Sequence, residues 1–366
     1  MLRLVFLGGR DCVANARIAI ARGKRARNLR YNSLRFFLEE GAVKKIMSLL
    51  AVTVSALLLH SVQAHAQAYP NRSVRIVVPW PAGGITDVIM RAVNIHLSEV
   101  FGQQMVIDNR PGAGGSLGAA IVAKAPADGY TLLMHDIASQ CISASLYGAK
   151  LSYDPLKDFQ PVMMVAGSPM VLVANPAPQV RTLKQLIALA KSRPGQLNYA
   201  SSGAGSVTHL AAVRMQKLGG VDLQHVPFKG SIPAASSVMN GETFMSFSTV
   251  PAALPHAKTG RLVMIAQSFA KRAAQIPDVP TIAETLGDFD LGLVSGLWLP
   301  AGTPRAIVDR LQAEVTRAME QPKVKSILDT NAAIPGRMST QEFTEYMVRE
   351  TRNWGEIVRS SSVKVD

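Results

Sequence analysis

From residue 74 onward the chain repeats one hydrophobic pattern: a short β-branched run, a glycine-bearing turn, then apolar residues at helical spacing. The run VRIVVPW predicts a strand over 74–80 that stops at Pro81-Ala82-Gly83-Gly84. From Thr86 the apolar positions Val88, Ile89, Ala92, Val93, Ile95 and Leu97 read as a helix. A strand over 105–107, a turn at 109–115, a helix over 116–124, the Asp128-Gly129 turn and a strand over 130–134 continue the alternation. Two apolar pieces, 162–165 and 170–173, flank Gly167-Ser168-Pro169 and predict a crossover between domains. Beyond it the spacing predicts helices over 183–191, 208–218, 233–239 and 252–258, with strands over 198–201, 225–227, 243–247 and 262–266. A second apolar crossover at 291–299 precedes Thr303-Pro304, a cap and first-turn pair, and helices over 304–319, 322–329 and 340–358.

Strands alternating with helices imply an α/β fold, with sheets covered on both faces. Two crossings of the chain make two lobes, 69–168 with 296–366 and 169–295, joined by a hinge with a cleft between them.

Residues 1–68 do not share this pattern. The 13-residue apolar run at 47–59 follows Lys44-Lys45 and precedes the small-residue sites Ala64-His65-Ala66 and Ala66-Gln67-Ala68. That is the layout of a secretory signal peptide, and the run is shorter than the ~20 residues a spanning helix needs. The expectation is cleavage near Ala66 or Ala68 and a soluble periplasmic product. Because a signal sits near a chain start, residues 1–42 read as a start-site artefact, with the true start near Val43 or Met47; a long cytoplasmic leader is the alternative.

The net charge of +14 changes little once it is located. Eleven Lys/Arg against three acidic residues fall in 1–68, so the remainder carries only about +6. That remainder has no basic run and no aromatic platform interleaved with one, which argues against nucleic-acid binding. Cys12 and Cys141 fall on either side of the cleavage site, so the mature chain closes no internal disulfide and builds no cysteine-pair metal site. The histidines His96, His135, His209, His225 and His256 are scattered without HExxH, which predicts no catalytic zinc.

Candidate chemistry lies at two glycine loops. Pro81-Ala82-Gly83-Gly84-Ile85-Thr86-Asp87 ends the first strand and opens a helix, where ligands of open α/β sheets bind. Free first-turn amides and the helix dipole there suit an anion, although a plain turn explains such a loop equally well. Ser201-Ser202-Gly203-Ala204-Gly205-Ser206 repeats the arrangement in the other lobe, its serines serving as donors or as a helix cap. Neither loop completes GxxxxGK[ST] or GxGxxG, so nucleotide readings fail, and 109–115 reads as a tight connection. GxSxG is absent, yet Ser202 with His209 or His225 keeps a Ser/His hydrolase as the competing enzyme reading.

These residues resemble the extracytoplasmic solute-binding proteins of tripartite tricarboxylate transporters, the Bug family. The resemblance runs over 69–366 through YPNRSVRIVVPWPAGGITD, VIDNRPGAGGSLGA, ADGYTLL, LNYASSGAGSVTHLA, HVPFKGS, PDVPTIAE and PAGTPRAIVDRL. It implies a two-lobed periplasmic-binding-protein-like fold of type II that captures a small carboxylate (di- or tricarboxylate, amino acid or aromatic acid). It also implies membrane transporter subunits as partners, a monomer, no cofactor and no catalysis. A periplasmic sensor is the second reading. By resemblance Ala82, Gly83, Gly84, Ile85 and Asp87 form the first grip, and Ser202, Gly203, Gly205 and Ser206 face it. Three departures bear on specificity. The loop after ADGYTLL reads His135-Asp136-Ile137-Ala138-Ser139-Gln140, which places Asp136 and Ser139 at the ligand and suits a zwitterion with its amine near Asp136. Ser248-Thr249 stands where an acidic-amide pair is common. Trp298 comes later in its loop than the family's usual Trp.

Overall fold

The computed structural model describes residues 47–49, 69–336 and 338–360. The leader reading falls outside those residues except for Met47, Ser48 and Leu49, which are helical. Residues 1–67 and 68–366 are separate units, and the architecture is that of the second.

Strand β1 (Val74–Val78) buries Ile76, Val77 and Val78 completely, as a central parallel strand with both faces covered must. It pairs in parallel with β2 (Met105–Asn109) and β3 (Thr131–Asp136). β9 (Gly292–Pro300) and the first part of β4 (Phe159–Ala174) extend this sheet in antiparallel fashion. At Met170 β4 changes partners and runs on against β7 (Met245–Thr249) and β8 (Val263–Gln267). β5 (Asn198–Ser201) then pairs in parallel with both β7 and β6 (Gln224–Pro227). The order is β2-β1-β3-β9-β4-β7-β5-β6, with β8 and the short β10 (Ile334–Pro335) branching from β4. One strand thus threads both halves of a two-lobed fold.

The first crossover is therefore a continuous strand, not two pieces. Pro169 is tolerated because ladder partners change there. Side chains hold the junction: Met170 donates its amide to Ser268 Oγ at 2.8 Å, and Ser168 Oγ donates to the Asn331 carbonyl at 3.1 Å.

The helices are α1 (Ile85–Phe101), α2 (Ser116–Ala123), α3 (Ile137–Tyr147), α4 (Leu183–Ser192), α5 (Val207–Gly219), α6 (Ser231–Met239), α7 (Val250–Lys258), α8 (Ala283–Leu286), α9 (Arg305–Glu320), α10 (Pro322–Thr330) and α11 (Thr340–Ser360). The expected loop at 135–140 is absent: His135 and Asp136 end β3, and α3 follows directly from Ile137. Its residues 137–143 are all buried, so it has no polar stripe and no readable period. Trp298 is fully buried and packs its ring 5.2 Å from Phe343 of α11, which makes it a core residue and places it outside the cleft lining.

Candidate functional site

The turn between β1 and α1 leaves a helix end open. The N-cap of α1 is Gly84, which has no side chain to accept from the first turn, and no other side chain caps it. Two loop amides are consumed internally: Gly83 donates to Asp87 Oδ2 at 2.8 Å and Gly84 to the Pro81 carbonyl at 3.3 Å. The amides of Ile85 and Thr86 have no protein acceptor among the described residues. They carry the positive end of the helix dipole, equivalent to about half a charge.

Asp87 acts behind this end. It is 1% exposed and accepts from Gly83 N, from Arg91 Nε at 2.8 Å and from Asn109 Nδ2 at 2.9 Å. Asn109 Nδ2 also reaches the Trp80 carbonyl at 2.9 Å, tying β2 to the loop. Burial alone raises the Asp87 pKa, but these donors outweigh it and hold the carboxyl below its ordinary value. With both oxygens engaged, Asp87 fixes the loop and is absent from the cleft lining.

A narrow cleft opens in front of α1. One wall is Trp80, Pro81, Gly84, Ile85, Thr86 and Leu293, and the other is Ser202, Val207, Ser231, Ile232 and Thr249. Of the expected contacts, Gly84, Ile85, Ser202 and Thr249 line it. Ala82 and Gly83 are exposed outside the lining, and Ser248 is buried beside Thr249 without reaching it. Trp80, Thr86, Ser231 and Ile232 were not anticipated. The Gly230-Ser231 start of α6 carried a signal, a glycine followed by a serine, but Pro233 drew the predicted helix start two residues too late.

The 201–206 loop does different work from that expected. Ser206 Oγ donates to the Gly203 carbonyl at 2.7 Å and accepts from His209 N at 3.3 Å, so it caps α5. Val207 donates its amide to Ser139 Oγ of α3 at 3.3 Å. A Cβ on Gly114 would stand 2.7 Å from the Ala204 carbonyl, and one on Gly205 would overlap Leu146. Gly203, Gly205, Ser206 and Ser139 therefore sit where the 201–206 loop packs on α3 and the Gly114 turn, outside the cleft lining.

Asp136 is 0% exposed and caps α3, its Oδ1 accepting from Ser139 N at 2.7 Å. Burial pushes its carboxyl up to about 7. No acidic side chain lines the cleft among the described residues, so the ground for a ligand amine beside Asp136 is gone. The sequence placed Asp136 next to a family loop; the competing fact was N-capping, for which Asp is a preferred residue.

The Ser/His pair that forms is Ser201 with His225, 2.6 Å apart, not Ser202. Ser201 is fully buried and its Oγ is also bonded to Gly203, so it presents no nucleophile. His225 stacks on His209 with centroids 3.8 Å apart, and His209 Nδ1 accepts from Gly205 N at 3.2 Å. Both rings are thus neutral supports for the loop. Burial drives His209 down to about 3, assisted by His225, and drives His225 to about 4 and His135 to about 3. Between pH 6.5 and 4 the unfolded chain binds these three protons and the native chain does not, so stability falls with acidification; Asp136, raised, opposes this with one proton. Thermal melts from pH 7 to 4 should show a net fall in Tm on the order of 10 °C. A flat or rising profile would mean the histidines are charged in the fold.

Comparison with known proteins places the chain. The family model for the tripartite tricarboxylate transporter family receptor, TctC, matches residues 89–363. BugT of Bordetella pertussis is 33% identical over 302 residues, covering 82% of this chain and 92% of that protein. An R. palustris protein solved with adipate is 32% identical with a TM-score of 0.77, over 81% of this chain and 99% of that one. The periplasmic binding protein BugD is 27% identical with a TM-score of 0.76, over 81% and 99%. The chain belongs to the TctC family of periplasmic solute-binding proteins, whose members are receptors rather than enzymes.

Proposed function

We propose that this protein captures a small carboxylate in the cleft and releases it unchanged. The observation that carries this reading is the uncapped N-terminus of α1, whose Ile85 and Thr86 amides open on a cleft lined by no ionisable side chain among the described residues. A carboxylate is an anion that such amides hold without a counter-cation. Support comes from the R. palustris neighbour with adipate. In this reading Gly84, Ile85 and Ser202 contact the ligand. Asp87 positions the loop, and the residues at 203–206 with Ser139 register the closed lobes. Lobe 1 is 69–168 with 296–366 and lobe 2 is 169–295, the exchange of β4 partners at Met170 lying beside their boundary. The chain is exported as a monomer after cleavage near Ala66 or Ala68, and it delivers its ligand to membrane subunits of a tripartite transporter.

Titration calorimetry of the purified chain against small mono-, di- and tricarboxylates tests the reading. Saturable binding of at least one, with the compound recovered intact, is expected. Binding of none, or recovery of a cleaved product, would overturn it.

A further inference from the structure

Asp136 does not line the cleft, yet contacts lead from it toward both walls. It ends β3 and caps α3 through Ser139 N, and the Ser139 hydroxyl accepts from the amide of Val207, which lines one wall. On its other side Asp136 stands in register with Ser295 of β9, whose hydroxyl lies 3.3 Å from Oγ1 of Thr86 on the opposite wall. The carboxyl is fully buried, and its Oδ2 has no hydrogen-bond partner. Donors offset the desolvation of an ionised carboxylate there only in part, so burial favours the neutral form.

No cation makes up the difference. β9 and α2 carry no ionisable group. β3 brings His135, whose Nδ1 accepts from Asp136 N at 2.8 Å and which burial keeps neutral; α5 brings His209, neutral chiefly for the same reason. α3 brings Cys141, its thiol pushed up to about 12 by burial. α11 brings Tyr346 and Glu350, with Arg349 turned over the Tyr346 ring at 5.1 Å. α1 brings Asp87, which is bound to Arg91. Burial therefore outweighs the Ser139 and Val294 donors, and Asp136 exchanges its proton near neutral pH.

Resting on the carboxylate reading above, we propose that Asp136 couples anion binding to proton uptake, taking a proton as a carboxylate seats on Ile85 and Thr86. Two negative charges on either side of the Thr86–Ser295 contact repel each other through a poorly screened interior, and protonation of Asp136 removes that repulsion. The linkage is reciprocal: the bound anion favours the protonated carboxyl, and the protonated carboxyl favours the anion. Affinity is highest below the range in which Asp136 titrates and falls as the pH rises through it.

The test is calorimetry of the purified chain with adipate and malate, both dianions throughout, at about pH 6.5 and about pH 8.5. If neither binds, the acid that binds in the titrations above replaces them. Affinity is expected to fall about fivefold over that range, and paired runs at about pH 7.5 in buffers of different ionisation enthalpy should show about half a proton taken up per acid bound. Asp136→Asn keeps an oxygen for the Ser139 amide but cannot ionise. It should take up no proton and bind about equally at both pH values, and so more tightly than the parent chain at the higher one. An Asp136 with a structural role alone would give the opposite, a variant weaker at every pH. No proton uptake by the parent chain, or a pH response that survives in Asp136→Asn and so belongs to a histidine, would overturn this proposal and leave the carboxylate reading standing. Should Asp136→Asn not fold, difference infrared spectra of the parent chain decide: a protonated-carboxyl band that grows on binding supports the coupling, and an unchanged band overturns it. Binding of no acid would overturn both.

Discussion

Replacing Gly230 by alanine is expected to weaken ligand binding about 100-fold while leaving the fold intact. Gly230 lies at φ +126°, immediately before α6 on one wall of the cleft. A Cβ built there would stand 2.5 Å from Pro81 Cγ on the other wall. The methyl group is a wedge between the two walls of the cleft as they stand here, and parting the walls would relieve the clash. Its cost therefore falls on closure, and through closure on affinity. Backbone strain falls on open and closed forms alike: φ +126° with ψ 171° is a region essentially reserved for glycine, and an alanine there costs about 1–3 kcal/mol of stability. Gly260→Ala separates the two effects. Gly260 also lies at positive φ, +72°, but nothing is within 4 Å of its would-be Cβ. It should lose less stability than Gly230→Ala and bind normally. If Gly230→Ala binds as well as the parent chain, the closed arrangement is not the binding one.

Asp87→Ala should cost about 2–3 kcal/mol of stability and about 10- to 100-fold in affinity. The estimate rests on hydrogen bonds from Gly83, Arg91 and Asn109 to one buried carboxylate. The Arg91 side chain is half exposed, so its ion pair adds little beyond the hydrogen bond. Removing the carboxylate frees Gly83 and leaves the Asn109 bond to the Trp80 carbonyl as the remaining side-chain tie between β2 and the loop, so the donors at Ile85 and Thr86 are held less firmly. Asp87→Asn should do no better than alanine. Its amide presents one oxygen and one NH2 to a pocket in which every neighbour donates. Chemical melts and calorimetry on both variants check this; unchanged binding in Asp87→Ala would show that the loop needs no support from behind.

Much of this site is written locally, and some of it is not. PAGG after a β-branched run reads as strand, turn and helix because each residue acts on its own backbone. The structure places β1, the turn and α1 in that order. The 201–206 loop has the same local pattern, and there too the strand–loop–helix order holds. What the pattern could not show is that Ser206 spends its hydroxyl on Gly203 and His209, or that Val207 finds Ser139, 68 residues away in the chain. These are non-local or competing partnerships, and one sequence does not rank them. α3 escaped notice because a helix buried on all sides keeps no amphipathic stripe. Ser231 and Ile232 escaped because their importance comes from standing opposite Pro81 and Gly84, some 150 residues away in the chain.

The most direct measurement is a crystal structure of the chain with a bound carboxylate identified by the titrations. The account predicts carboxylate oxygens about 2.7–3.1 Å from the amide nitrogens of Ile85 and Thr86, with no Lys or Arg side chain in contact. A carboxylate seated on a basic side chain, or on the 201–206 loop away from the start of α1, would contradict it.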